Sequence, residues 1–158
     1  MTQITNNKHD INTVVENLLN EGFDISTMGS VVILVKNKEG KYLVLQRSWE
    51  DEDGPGLYDF AGGSTDTNDD PSGDADRELF EETGITASSL DLIHHGKYIC
   101  PWKGEEKVKF VFACETDEEV KLSFEHHSFE WVDASEIMNY EFYKVGLQEL
   151  LLEHAKQD

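Results

Sequence analysis

Positive charge is scarce in this chain. Thirteen lysines and arginines stand against 33 aspartates and glutamates, for a formal net charge of −20. So acidic a protein has no broad surface for DNA or RNA, whose binding rests on phosphate neutralisation. Solubility is the plain reading of most of these acids. The same field sets a condition on function, because a phosphorylated ligand needs a local cationic site or bound metal cations. Cysteine is equally sparse. Cys100 and Cys114 sit in apolar, strand-like runs and read as two buried free thiols. No stretch approaches the roughly 20 apolar residues of a membrane-spanning helix. The opening MTQITNNKHD lacks the basic end and apolar middle of a secretory signal, so a soluble cytoplasmic protein is expected. Internal repeats and Pro-, Gly- or Ser-rich linkers are also missing, which with the length of 158 residues points to one domain.

What is present reads as a mixture of strands and helices. Ile11, Val14, Val15, Leu18 and Leu19 recur at helical spacing over residues 8–21, closed by Gly22. That N-terminal helix is compatible with packing on the domain and with homodimer formation. SVVILVK (30–36) and KYLVLQR (41–47) read as strands joined by the turn Asn37-Lys38-Glu39-Gly40. The short run LYDFAGG occupies 57–63, and further strands are expected near 90–99, 107–114 and 128–132. DASEIM (133–138) predicts a short helix. A closing amphipathic helix is expected from Tyr140 to Ala155, with Val145, Leu147, Leu150 and Leu151 inward. The order implies an α+β fold, or α/β sandwich. Two histidine pairs, His94-His95 and His126-His127, lie in strand-like segments. Neighbours on a strand point to opposite faces, so neither pair converges on one ion unaided.

Residues 62–85, GGSTDTNDDPSGDADRELFEETGI, are the informative segment. Asp70-Pro71 predicts an N-cap with proline at the first helical position, and Gly84 a C-terminal glycine, so 71–83 should be helical. At about 100° per residue, Asp74, Glu78, Glu81 and Glu82 fall within an arc of about 100°, beside a core-facing stripe of Ala75, Leu79 and Thr83. Like charges at i,i+4 cost a few tenths of a kcal/mol in the open and more beside a low-dielectric edge. Hard divalent cations such as Mg²⁺ or Mn²⁺ would remove that cost. The bland alternative is a solvated acidic face with Arg77–Glu81 as an ordinary ion pair. A calcium loop starting at Asp66 fails, because Pro71 takes the place of its required glycine and Arg77 that of its last glutamate.

The full register is Gly63, five residues, Asp69, seven residues, then Arg77-Glu78-Leu79-Phe80-Glu81-Glu82-Thr83-Gly84-Ile85. It resembles the signature of the Nudix hydrolase family, with Asp69 where the family has glutamate. The resemblance implies an α/β/α sandwich with a loop-helix-loop site, in which Glu78, Glu81 and Glu82 ligate Mg²⁺ or Mn²⁺ and a backbone carbonyl of Gly62 or Gly63 adds an oxygen. Arg77 would orient the glutamates and pair with Asp69, in a geometry shifted by the shorter side chain. Many members also use a late acidic residue about six positions before a tryptophan as a metal ligand or general base. Glu125, six before Trp131, is that candidate, and Glu130 the fallback.

The implied reaction is metal-dependent hydrolysis of a diphosphate bond in a nucleoside diphosphate derivative, giving a nucleoside monophosphate and a phosphorylated remainder. Glu78, Glu125 or both would take the proton of the attacking water. Substrate-side candidates are Arg47 for a phosphate, Tyr58 and Phe60 for a base pocket or the core, Trp102 for stacking on a base and Lys103 for a phosphate. A small nucleotide-like molecule, and neither a nucleic acid polymer nor a membrane, is the expected partner. A regulatory module that binds a nucleotide without cutting it and an acidic interaction protein are the competing readings. The presence of all three helix glutamates favours catalysis.

Overall fold

The computed structural model describes residues 10–100 and 103–157. Trp102, a substrate-side candidate above, lies outside the described residues. The fold is organised around strand β1 (Gly29–Lys36), whose apolar run is buried on both faces. Val31, Ile33 and Val35 face one side and Val32 and Leu34 the other, as the two-residue period of a strand dictates. β1 pairs in parallel with β6 (Glu106–Glu115), in register from Gly29↔Val108 to Lys36↔Glu115. β6 in turn pairs antiparallel with β5 (Asp91–Ile99), with an irregularity between Leu92 and His94.

On its other side β1 meets β2 (Tyr42–Arg47) only at Lys36↔Tyr42, beyond the hairpin turn. The strands then part, and β4 (Ala61–Ser64) pairs with Ser30–Ile33 in the gap. β2 continues between β7 (His126–Val132) and the two-residue β3 (Tyr58–Asp59). The described strands thus form one mixed sheet of seven. The short run over 57–63 forms two strands, because the chain leaves β2 at Asp59 and joins β1 at Ala61. This crossing from one partner strand to the other is what places Phe60 and the glycines at the seam.

Helices cover both faces. α1 (Ile11–Asn20) and α3 (Pro71–Thr83) pack on the Val31/Ile33/Val35 side, through Val15 and Leu18 and through Ala75 and Leu79. Between α1 and β1 lies the one-turn α2 (Ile25–Met28). α4 (Leu147–Lys156) covers the Val32/Leu34 side with Leu147, Leu150 and Leu151. Full burial of a side chain such as Leu79 contributes roughly 1.5–3 kcal/mol. The arrangement is the expected α+β sandwich. α1 therefore lies on the domain itself, where Asp10 caps it by accepting from the N–H groups of Asn12 and Thr13.

The closing helix differs from its expected bounds. It begins at Leu147, while the short helix expected over 133–138 forms as a 3₁₀ helix, Ala134–Asn139. The intervening segment hydrogen-bonds to the edge of β3. The Tyr58 N–H donates to the Glu141 carbonyl (2.9 Å) and the Tyr143 N–H to the Tyr58 carbonyl (3.0 Å). Those groups are therefore spent outside any helix, and Gly146, at φ +94°, turns the chain into α4. Val145, expected inward, is 94% exposed. Cys100 and Cys114 are buried free thiols, and burial, then Asp76, Asp91 and Glu115, push the Cys114 thiol up to about 12. Among the described residues no helix is long and apolar enough to cross a membrane.

Candidate active site

Both ends of α3 form as the local residues dictate. The Asp70 carboxylate accepts from the Gly73 N–H at 3.0 Å, Pro71 opens the helix, and Gly84 closes it at φ +71° with its N–H on the Phe80 carbonyl. With the register fixed and Ala75, Leu79 and Thr83 inward, the acids are graded across the boundary of the core. Asp74 is 2% and Glu82 7% exposed, Glu78 is mostly covered and Glu81 is open.

Glu82 reaches the seam between the two halves of the sheet, where its Oε1 accepts the Gly62 N–H at 3.0 Å. Burial raises its pKa to about 8. The Gly62 hydrogen bond and the His126 charge oppose the rise, and Asp59 and Glu78 add to it. Glu78 is also raised, first by burial and further by Glu81 and Glu125, against the pull of Arg77. Its carboxyl lies against the α-carbon of Gly63, where an added Cβ would come within 2.6 Å of it. A side chain on Gly62 would overlap the Val31 carbonyl oxygen. Replacing Gly63 with alanine should therefore displace the Glu78 carboxyl and, if Glu78 takes part in a reaction, lower turnover by about a hundredfold, the cost of misplacing a reacting group by about 1 Å. Steady-state kinetics beside a melting curve that stays in place would show it.

Arg77 gathers the exposed side of this cluster. Its Nη1 donates to Glu78 Oε1 at 3.1 Å and to Glu81 Oε1 at 3.2 Å, while Nη2 meets Asp66 at 3.3 Å and Asp74 at 3.6 Å. The partner expected from the sequence was Asp69, and that pairing does not form among the described residues. Thr67 explains the exchange. Its N–H and hydroxyl both bond to Asp74 Oδ2, which folds the loop so that Asp66 faces the guanidinium and leaves Asp69 exposed.

A cavity of about 180 Å³ opens beside Gly62, Gly63 and Glu82. Glu125 lines it, and the segment carrying Glu125 is tied to α3 by backbone bonds. The Lys121 N–H donates to the Thr83 carbonyl at 2.7 Å, and the Ser123 N–H to that of Glu82 at 3.2 Å. Phe60 lines it too and packs on Phe142, with ring centroids 4.8 Å apart, while Tyr58 meets Tyr140 edge-on at 5.0 Å. Arg47 lines the cavity with its donors engaged: Nε on the Asp53 carbonyl, Nη1 on Asp59 and Nη2 on Asp51, at 2.9, 2.9 and 3.0 Å. Glu130 stays outside, exposed and accepting from the Tyr140 hydroxyl at 3.4 Å, and Lys103 is exposed.

The polar cavity residues Asp51, Asp59, His126 and Lys144 were not singled out from the sequence as site residues. Asp59 is 7% exposed and joins Arg47 to His126, whose Nε2 lies 3.2 Å from Asp59 Oδ1. Burial presses the imidazole towards neutral, but the Asp59 bond and charge, with Glu82 and Glu125, outweigh it and hold its pKa above the ordinary value. His126 Nδ1 is buried with no hydrogen-bond partner among the described residues. The available signal was a lone aspartate inside an apolar strand run, a pattern that requires a partner.

Among the described residues no three carboxylate, imidazole or thiolate groups are already drawn together as a metal site. The donor set nonetheless suits a hard divalent cation, because its carboxylate oxygens crowd a position now held by one cationic guanidinium.

The family model for the NUDIX domain matches residues 27–151, and the chain belongs to the NUDIX family. The class is a Nudix-type pyrophosphohydrolase, an enzyme of acid anhydrides. Phosphatase NudJ of Escherichia coli K12 is 33% identical over 111 residues, covering 68% of this chain and 69% of that one. An octanoyltransferase of Myxococcus xanthus is 31% identical over 113 residues, or 68% of this chain. The match spans only 30% of that longer protein, so its name describes far more than the shared stretch. Among solved structures, the MutT protein of Methanosarcina mazei Go1 superposes with a TM-score of 0.69 at 27% identity, covering 82% of this chain and 93% of that one.

Proposed function

We propose that this protein hydrolyses the diphosphate bond of a nucleoside diphosphate derivative, releasing a nucleoside monophosphate and a phosphorylated remainder. The observation that carries the reading is the set of α3 carboxylates: Glu78 and Glu81 share one guanidinium, and Glu82, on the same helix, stands in the wall of the cavity. Glu78, Glu81 and Glu82 would hold Mg²⁺ or Mn²⁺, with the Gly63 carbonyl beside them. When bound, the cation neutralises charge on the diphosphate oxygens and lowers the pKa of water.

The chain's own groups supply the rest. Arg77 yields Glu81 to the cation and keeps Glu78 oriented. Glu78 or Glu125 takes the proton of the attacking water on a carboxylate oxygen, and burial, which raises the Glu78 pKa, makes that carboxylate the stronger base. The Gly62 N–H fixes Glu82 in place. Phe60 offers the cavity's apolar wall to the substrate, and Arg47 sets the cavity's shape by pinning Asp59.

The test is a panel of nucleoside triphosphates, ADP-ribose, NADH and dinucleoside polyphosphates, each with Mg²⁺ or Mn²⁺ and then with EDTA. Turnover of at least one compound, abolished by chelation, is expected. Tight binding without turnover of any would replace this reading with a nucleotide sensor.

A further inference from the structure

The cavity is poor terrain for an anionic ligand. Asp51, Asp59, Glu82 and Glu125 all line it. Beside His126, two basic side chains oppose them, and the charge of one is already matched, because Arg47 pairs with both Asp59 and Asp51 and donates from Nε to the Asp53 carbonyl. The other is Lys144. Among the described residues it forms no ion pair, although acids outnumber bases 33 to 13 in the chain.

Its backbone is not loosely placed. Next to it, Tyr143 bonds to β3 and carries the Arg47 guanidinium 4.6 Å above its ring, and three residues on α4 begins. Lys144 also has a like-charged neighbour. Lys109, half-buried on β6 with its Nζ 5.7 Å over the Tyr98 ring, has its pKa lowered by burial and by Lys144. The two ammonium groups repel, and neither is ion-paired among the described residues. A ligand anion would relieve that repulsion.

Resting on the hydrolase reading, we propose that Lys144 is a specificity residue that receives a phosphate of the substrate lying beyond the scissile diphosphate. A cation held on α3 would serve the diphosphate itself, whereas Lys144 comes from another element and offers a compact charge with three donors. Substrates whose remainder ends in a phosphate are thereby favoured over those ending in a neutral sugar.

The test compares kcat/KM for ATP and for ADP-glucose with Mn²⁺. The wild type should favour ATP. In Lys144→Gln that preference should fall about tenfold, the lower end for a hydrogen bond to a charged group, and the change should lie in KM. Lys144→Arg should keep most of it. An unchanged preference in Lys144→Gln, or a change confined to kcat, overturns the inference while leaving the hydrolase reading intact. Should the wild type cleave neither compound, calorimetric titration with α,β-methylene-ATP decides. Binding about tenfold weaker in Lys144→Gln supports the role of Lys144, and equal affinity or no binding to the wild type refutes it.

Discussion

Glu82→Gln is expected to lower kcat/KM by about 10²–10³-fold, the scale of removing one preorganised electrostatic contact at a reacting centre. The same substitution should make the metal-free protein more stable at pH 8. The Glu82 carboxyl is raised on folding from an ordinary 4.5 to about 8, chiefly by burial. Its contribution to stability is therefore fully present below about pH 4.5 and is lost as pH rises towards 8. Glutamine keeps the Gly62 hydrogen bond and never ionises. The metal-free variant should melt a few degrees above the wild type at pH 8, and the gap should close near pH 5. Mn²⁺ should reverse the order at pH 8 by stabilising the wild type alone. Calorimetric melting at the two pH values, with and without Mn²⁺, measures all of this. A variant that melts lower than the wild type at pH 8 without metal would contradict the account.

Arg47→Met is expected to destabilise the fold by about 3–5 kcal/mol, the cost of stripping one partner from a buried ion pair. Arg47 and Asp59 are largely covered, with side-chain exposures of 18% and 10%. The loss leaves Asp59 facing His126 alone and Asp51 with no countercharge from Arg47. Arg47→Met combined with Asp59→Asn should recover a large part of the loss, because the uncompensated charge is gone. Urea unfolding of the single and double variants gives the coupling directly.

How much of this was legible in the sequence depended on range. α3 could be read end to end, since Asp70, Pro71 and Gly84 act within a turn of their own position and the core stripe has helical period. The three glutamates came with it. The acid that pairs with Arg77 did not, because the choice between Asp66 and Asp69 is made by Thr67 bonding to Asp74. Asp59 and His126 are 67 residues apart and meet only because β2 pairs with both β3 and β7. Of the neighbours His126 and His127, the first is buried and the second exposed, as the strand period dictates. That period does not show what His126 would meet across the sheet. The late start of α4 has the same origin, because the apolar spacing from Tyr140 onward carries no trace of the β3 edge that claims those backbone groups.

The Thr83–Lys121 and Glu82–Ser123 backbone bonds splice the end of α3 to the stretch leading into Glu125. Between the two splices the chain makes a detour, out along β5 and back along β6, whose inward side chains belong to the core. Lengthening a bend within that detour, at Gly104 for instance, would alter the molecule's outline while the two acids keep their separation. The far bend of that detour is therefore where new recognition elements can be grafted without disturbing the pairing of β6 with β1.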